Sequence, residues 1–139
     1  MKINFLDGGM IFEINKKYKD FGEYSLENDE DLINSLYQNY LDVGCKFITT
    51  CNYCLKPLYT DNWEKLSIKS VELMQKFRKN DIKVLGSLPP YNKSYNQNNI
   101  DKSFINFYEK LINIFKNKVD YYIIETGYNY NEIKKIYDI

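Results

Sequence analysis

The alternation of short apolar runs with longer helical stretches is the feature that most narrows the folds open to this chain. Four runs rich in apolar or β-branched residues occur, and each ends in small or polar residues. They cover residues 3–6, 47–50, 83–88 and 121–125. Short runs separated by longer segments of helical periodicity are typical of βα units that build a parallel sheet. We therefore predict an α/β fold with four parallel strands.

Apolar residues between and after these runs recur at three- and four-residue steps, which gives each helix one apolar face. The four stripes are Leu32, Ile33, Leu36, Tyr37, Tyr40 and Leu41; Trp63, Leu66, Ser70, Leu73, Met74 and Phe77; Phe104, Phe107, Tyr108, Leu111, Ile112 and Phe115; and Ile133, Ile136 and Tyr137. A long polar connection, residues 15–30, precedes the first stripe, and Gly44 suits its end. Asp61 or Asn62 is the predicted N-cap of the second helix, and the fourth helix is cut short at Ile139.

Two architectures accept this order of elements. Parallel neighbours need a crossover of a dozen or more residues, and every interval here is long enough to supply one with a helix. The result is either an open doubly wound sheet or the first half of an eight-stranded barrel of about 250 residues. Periodicity does not choose between them. No shift in composition marks a boundary, so we expect one domain over residues 1–139.

Charge and composition exclude several classes of partner and site. Nineteen basic and nineteen acidic residues cancel, so neither nucleic acid nor an anionic membrane surface is an expected partner. No stretch approaches the roughly 20 apolar residues of a membrane span, and residues 1–9 are too short an apolar run for a secretory signal. We expect a cytoplasmic protein. The sequence contains no histidine, which excludes Ser-His and Cys-His nucleophile pairs.

Three cysteines, Cys45, Cys51 and Cys54, are expected to be reduced thiols. Cys51 and Cys54 form a Cys-x-x-Cys pair, which supplies two ligands where a structural zinc ion takes four. A redox pair would need the cysteine at a helix N-terminus, where its pKa is depressed. The simpler interpretation is that both are small buried core residues.

Ligands in both architectures lie at the carboxyl ends of the strands. The candidate residues at these ends are Asp7, Gly8, Gly9, Thr50, Ser87 and Glu125. Asp7 and Glu125 would converge from the first and fourth strands, where two carboxylates can hold an ammonium group. The glycines allow backbone N–H groups to approach a carboxylate, so the set suits an amino acid. In the alternative interpretation Asp7 caps a turn and Glu125 forms a structural ion pair.

Four segments at these strand ends resemble signatures of the homocysteine S-methyltransferases. They are residues 5–10, FLDGGM; 40–50, YLDVGCKFITT; 86–91, GSLPPY; and 120–126, DYYIIET. The corresponding family patterns are Leu-Asp-Gly-Gly-Met, Tyr-Leu-x-Ala-Gly-Ala-x-x-Ile-x-Thr, Gly-Ser-x-Gly-Pro-Tyr and Asp-x-x-x-x-Glu-Thr. Their order makes the resemblance specific. It covers the whole chain and the first half of that family's domain.

This resemblance implies the first four βα units of a (β/α)8 barrel. It also implies that six residues form part of a pocket for homocysteine: Asp7, Gly8, Gly9, Thr50, Ser87 and Glu125. Among them, Asp7 and Glu125 would contact the amino group, and Gly8 and Gly9 would present backbone N–H groups. In that family, a zinc ion on three cysteine thiolates binds the homocysteine sulfur as a thiolate, which takes a methyl group to give methionine.

The departures from the family pattern are informative. The zinc cysteines of the family lie near the sixth and eighth strands and include a Gly-Gly-Cys-Cys sequence, which this chain does not contain. The family's Thr-Asn-Thr-Tyr becomes TCNY at residues 50–53. We therefore expect a homocysteine S-methyltransferase-like chain with the amino-acid half-site and no zinc centre, inactive in methyl transfer alone. The alternative is a non-catalytic half-barrel subunit that pairs with itself as a homodimer or with a second half-barrel.

Overall fold

The computed structural model describes residues 3–19 and 22–139. The elements in this part of the chain follow in the order β1 (Phe5–Leu6), α1 (Met10–Tyr18), α2 (Glu23–Asn28), α3 (Glu30–Asp42), β2 (Cys45–Thr49), α4 (Trp63–Gln75), β3 (Lys83–Leu88), α5 (Lys102–Phe115), β4 (Tyr121–Ile124) and α6 (Tyr130–Tyr137). Met1 and Lys2, the first two residues of the segment that is too short for a secretory signal, lie outside the described residues.

The strands form one parallel sheet in the order β1-β2-β3-β4. A doubly wound sheet reverses its strand order at a switch point. A sequential order with crossovers of one hand places all helices on the same face and leaves the other face as a barrel interior. The fold is therefore the first four βα units of a barrel, as the resemblance implied.

The polar connection predicted over residues 15–30 is wrong in its described part, which contains the end of α1 and the whole of α2. Residues 20 and 21 of this prediction lie outside the described residues. Met10 and Ile14 lie four residues apart, and both are buried on the same side of α1. Leu26 provides the buried contact of α2. Each of these helices buries only one or two apolar side chains. With so few apolar positions among many charged residues, the sequence shows no clear helical periodicity.

Strand boundaries differ from the prediction by one or two residues except at β3. β1 covers only Phe5–Leu6, β2 begins earlier, at Cys45, and Thr50 and Glu125 each lie one residue beyond a strand. Both residues still continue the hydrogen bonding of the sheet. Thr50 N–H donates to the carbonyl of Leu85 at 2.9 Å, and Glu125 N–H donates to the carbonyl of Leu88 at 3.1 Å.

Helix ends follow the local sequence. Asp29 accepts the Leu32 N–H at 3.1 Å and Asp101 accepts the Phe104 N–H at 2.9 Å, which caps α3 and α5. Asn62 occupies the N-cap position of α4, as one of the two predicted residues, but its side chain makes no capping hydrogen bond. Gly44 has a φ of +97°, a conformation that favours glycine and lets the chain leave α3 for β2.

The hydrophobic core lies between the sheet and the helix layer. Its fully buried side chains include Ile14, Leu26, Ile33, Tyr37, Ile48, Leu66, Val71, Val84, Phe104, Leu111 and Phe115. A Cβ built on Gly86 would lie 2.8 Å from the Phe115 ring, so Gly86 faces the helices. Ser87 therefore faces the barrel interior, together with its register partner Ile123. In the described part of the chain, no helix is long and apolar enough to cross a membrane.

Candidate active site

A cavity of about 420 Å³ lies at the carboxyl ends of the strands. It is lined by Leu6, Asp7, Gly8, Gly9, Met10, Ile11, Thr49, Thr50, Cys51, Tyr53, Cys54, Ile123, Glu125 and Thr126. Five of the six predicted site residues are in this set. The carboxylates of Asp7 and Glu125 thus reach one cavity from the two edge strands, β1 and β4.

Asp7 is held rigidly by the neighbouring strand. Its Oδ2 accepts the Thr49 N–H at 2.7 Å and its Oδ1 accepts the Thr49 hydroxyl at 2.9 Å. Its own N–H donates to the Phe47 carbonyl at 2.9 Å. Burial raises the pKa of Asp7 to about 7, with a further contribution from the charge of Glu125, although the Thr49 hydrogen bonds act to lower it. Both oxygens therefore have fixed positions, and the carboxyl group gains a proton near neutral pH.

Glu125 follows β4 and is supported from the strand beside it. The Ser87 hydroxyl donates a hydrogen bond to Glu125 Oε1. Burial raises the pKa of Glu125, and the Ser87 hydrogen bond opposes that rise. The two carboxyl groups thus share a desolvated site, and among the described residues no lysine or arginine lines it. A ligand with a positive charge would stabilise both carboxylates.

Gly8 and Gly9 bring the start of α1 to the same cavity. Gly9 occupies the N-cap position of α1 and provides no side-chain cap, so the first turn presents backbone N–H groups and the positive end of the helix dipole. A Cβ on Gly8 would lie 2.9 Å from the Tyr40 hydroxyl, so a side chain at this position would displace the end of Tyr40. This end of the cavity suits an anionic group.

Thr50 lines the cavity, whereas Ser87 lies beneath its surface. Ser87 is fully buried and is not among the residues that line the cavity; it contacts Glu125 instead. The Thr50 hydroxyl accepts the Ser87 N–H at 2.8 Å and donates to Asn52 Oδ1 at 2.6 Å. Their direct contact with a substrate stays a prediction, because the hydroxyl groups of both residues already have protein partners.

Asn52 is a site residue that sequence reasoning missed. Its side chain is fully buried, and its Nδ2 donates to the Ser87 carbonyl at 3.1 Å while its Oδ1 accepts from Thr50. Asn52 thereby joins the ends of β2 and β3 below the cavity. The sequence shows an asparagine displaced by one position relative to the family's Thr-Asn-Thr-Tyr, and that displacement was the available signal.

The cysteines do not fit a zinc centre. Burial raises the pKa of Cys45, Cys51 and Cys54, which favours the neutral thiol over the thiolate that binds zinc. Cys45 Sγ contacts the Leu6 carbonyl at 3.4 Å, and Cys51 Sγ contacts the Ser70 hydroxyl at 3.7 Å. Over residues 3–19 and 22–139, no three His, Cys, Asp or Glu side chains gather as a metal ligand set. No chemical step through zinc follows from these residues.

The Cys-x-x-Cys pair also lacks the position of a redox motif. Cys51 and Cys54 lie in the connection after β2, and α4 begins only at Trp63. Neither cysteine therefore occupies a helix N-terminus, which was the condition for a depressed pKa. The structure supports the interpretation that both are buried core thiols.

Comparisons with known proteins agree with this architecture. The sequence profile of the homocysteine S-methyltransferase family matches residues 4–139. Among solved structures, the homocysteine methyltransferase MmuM from Escherichia coli, in its metallated form, matches with a TM-score of 0.83 at 22% identity. That match covers 99% of this chain and 58% of the other, so this chain spans little more than half the length of that protein. A comparison with curated proteins gave no match.

The structural likeness at this identity is evidence for the fold, and the profile is evidence for the family. The profile match includes all four strand-end segments and both carboxylates of the cavity. The half-barrel seen in the structure is the architecture that the E. coli protein shares over its matched part. The chain belongs to the homocysteine S-methyltransferase family.

Proposed function

We propose that this chain provides the amino-acid half-site for methyl transfer to the thiol of homocysteine, which gives methionine. The observation that supports this most strongly is the cavity shared by Asp7 and Glu125. Two desolvated carboxyl groups, one of which raises the proton affinity of the other, form a site for a cation. The α-amino group of an amino acid is such a cation, and its N–H groups can donate to both carboxylates.

The start of α1 is the proposed partner of the substrate carboxylate. The N–H groups that follow Gly8 and Gly9 lie on the same cavity as Asp7 and Glu125. The apolar side chains of Leu6, Met10 and Ile123 also line it and can contact the methylene groups of homocysteine. This arrangement fixes both charged groups of an amino acid and leaves the thiol end to the rest of the cavity.

The chain's own residues bind and orient in this proposal, and they do not transfer the methyl group. Zinc, where the family carries it, supplies a thiolate form of homocysteine at neutral pH. The three cysteines of this chain do not fit that role. We therefore propose that the chain alone binds the amino acid without methyl transfer.

Calorimetric titration of the chain with L-homocysteine tests the proposal. Glu125→Gln keeps the shape of the side chain and removes its charge, so binding should weaken by about 1.5–3 kcal/mol, or roughly 10- to 150-fold. Glu109→Gln, an exposed position on α5, is the matched control and should leave the affinity unchanged. Equal affinities of the two variants would contradict the role assigned to Glu125.

A second candidate function is assembly with another half-barrel, and the edges of the sheet favour it. Phe5 of β1 is 57% exposed and Tyr121 of β4 is 56% exposed, although both belong to strands. In the described residues, the outer edges of β1 and β4 pair with no other strand. Unpaired edges with apolar side chains are typical of surfaces that another chain covers.

Sedimentation equilibrium tests the assembly candidate. A stable homodimer would have twice the 16.7 kDa mass of the chain. Tyr121→Lys should then dissociate it, because a charge would enter the edge contact, whereas Tyr137→Lys on the exposed side of α6 should not. If the chain is a monomer at all concentrations, the homodimer is contradicted.

A further inference from the structure

Thr126 adopts an unusual backbone conformation directly after Glu125. Its φ is +49°, in the left-handed region that β-branched residues rarely adopt. The turn it makes decides the direction in which the chain leaves Glu125. Residues in such conformations persist when the surrounding structure holds them, and they cluster at functional sites. The contacts that hold Thr126 are therefore of interest for the neighbouring carboxylate.

The Tyr53 hydroxyl is the contact that holds Thr126. It lies 3.1 Å from Thr126 Oγ1 and 2.5 Å from Ser94 Oγ, within hydrogen-bond distance of both. Tyr53 follows β2, Ser94 follows β3 and Thr126 follows β4. One phenol group thus joins the three connections that leave neighbouring strand ends.

A buried lysine lies over the ring of Tyr53. Lys56 Nζ lies 5.6 Å from the centre of the Tyr53 ring. It also donates to the carbonyls of Pro90 at 2.8 Å and Asn92 at 2.5 Å. Lys56 is 1% exposed, so these contacts are shielded from water. The tyrosine is therefore attached to the connection after β3 both through its hydroxyl and through its ring.

We propose that Tyr53 is a positioning residue for Glu125 and thereby a determinant of specificity for substrates that carry an amino group. Besides the sheet hydrogen bond from its N–H to the Leu88 carbonyl, Glu125 has two supports: the Ser87 hydroxyl on its carboxylate, and the turn at Thr126 on its backbone. Tyr53 acts on the second support. This inference rests on the proposed function, in which Glu125 binds the amino group of homocysteine.

Tyr53→Phe removes the hydroxyl and keeps the ring. L-Homocysteine should bind about five- to tenfold more weakly, the effect of one lost hydrogen bond. 4-Mercaptobutanoic acid, which lacks the amino group, should keep its affinity within about twofold, because it makes no contact with Glu125. Tyr137→Phe, exposed on α6, is the control and should change neither affinity. An equal loss for both ligands, or no loss for either, would overturn the proposal.

A measurement without ligand separates positioning from direct contact with the substrate. In the free chain, carbon-detected NMR of the Glu125 carboxyl should show its pKa moving toward the ordinary value in Tyr53→Phe, because a less fixed carboxylate reaches water. An unchanged titration in a variant with weakened homocysteine binding would overturn the positioning role.

A double-mutant cycle tests the route through Thr126. In a Thr126→Ala background, Tyr53→Phe should change homocysteine affinity by less than about twofold, since the contact is already absent. A full effect in that background would overturn the route. If Glu125→Gln has no effect, the proposed function fails; if Glu125→Gln weakens binding and Tyr53→Phe does not, the positioning inference alone fails.

Discussion

Two aspartates at opposite ends of the sheet make the same backbone contact and have opposite electrostatic properties. Asp7 at the carboxyl ends accepts the Thr49 N–H at 2.7 Å, and Asp120 at the amino ends accepts the Val84 N–H at 2.9 Å. Both contacts join neighbouring strands. Asp120 also accepts a hydrogen bond from Arg78 Nη2 at 3.0 Å.

The difference lies in the depth of burial and in the presence of a cation. Burial raises the pKa of Asp7 to about 7. Partial burial acts in the same direction on Asp120, but the Val84 hydrogen bond and the Arg78 guanidinium outweigh it, and its pKa is lowered. At the amino end of the sheet the acidic group therefore has a cationic partner, whereas among the described residues no cation contributes to the raised pKa of Asp7 at the carboxyl end. This contrast agrees with the proposal that the carboxyl end binds a ligand.

The largest expected effect concerns the pH dependence of stability. The folded chain keeps the Asp7 proton up to about pH 7, while the unfolded chain releases it near 3.8. Folding thus binds a proton between these values, and the free energy of unfolding should fall as pH rises, by up to about 4 kcal/mol from this group. Asp7→Asn should lose this part of the slope in urea titrations from pH 4.5 to 8.

Asp31→Asn, exposed at the start of α3, serves as the control for that series and should follow the parent chain. If Asp7→Asn keeps the parent slope, the pKa of Asp7 is not raised and the contrast between the two ends disappears.

The second effect concerns the opposite end of the sheet. Asp120→Ala leaves the Val84 N–H without its acceptor and Arg78 without its partner, so the chain should lose about 2 kcal/mol of stability at pH 7. Because the folded pKa of Asp120 is lowered, this contribution is present above about pH 4 and is lost as pH falls further. Urea denaturation at pH 7 and pH 3 measures both values. A loss that stays the same at pH 3 would show that the charge of Asp120 is not involved.

The third effect is on ligand affinity. The amino group of homocysteine needs Asp7 in its charged form, so affinity should fall about tenfold for each pH unit below the pKa of about 7. Calorimetry between pH 5.5 and 8.5 measures this slope. In Asp7→Asn the affinity should be weak throughout, and the part of the slope that comes from Asp7 should be absent. If the affinity of the parent chain did not depend on pH, binding would not require the charged form of Asp7, contrary to this prediction.

The smallest expected effect is that of removing a cavity thiol, in contrast to removing a cavity carboxylate. Cys54 lines the cavity, yet burial keeps its thiol neutral, and the proposal gives it no contact with a charged group. Cys54→Ala should change homocysteine affinity by less than about twofold in the same calorimetric experiment. A loss of affinity comparable with that of Glu125→Gln would show that the Cys54 thiol takes part in binding, contrary to this prediction.

The strand ends were predictable from the sequence because a buried parallel strand must end in residues that tolerate water or a ligand. That rule predicts Asp7 and Glu125 at one rim, and the structure brings them to one cavity. The choice between barrel and open sheet was not predictable from periodicity, since both architectures use the same βα units. It depended on the family resemblance and is confirmed by the strand order β1-β2-β3-β4.

The supporting contacts were beyond sequence reasoning. Ser87 was predicted to line the pocket; the pleat does place it on the interior face, but it is fully buried there and its hydroxyl contacts Glu125. Asn52 and Tyr53 lie in an irregular connection, where no periodicity shows which side chain points inward. Contacts that join separate loops depend on the closing geometry of the sheet, which a linear pattern does not contain.

The central claim is that Asp7 and Glu125 jointly bind a cation at one rim, and NMR titration of their carboxyl carbons tests it most directly. In the free chain, Asp7 should titrate near pH 7 and Glu125 above its ordinary value. Saturation with L-homocysteine should lower both pKa values, because the ammonium group stabilises both carboxylates. Titration curves that are the same with and without homocysteine would contradict the account.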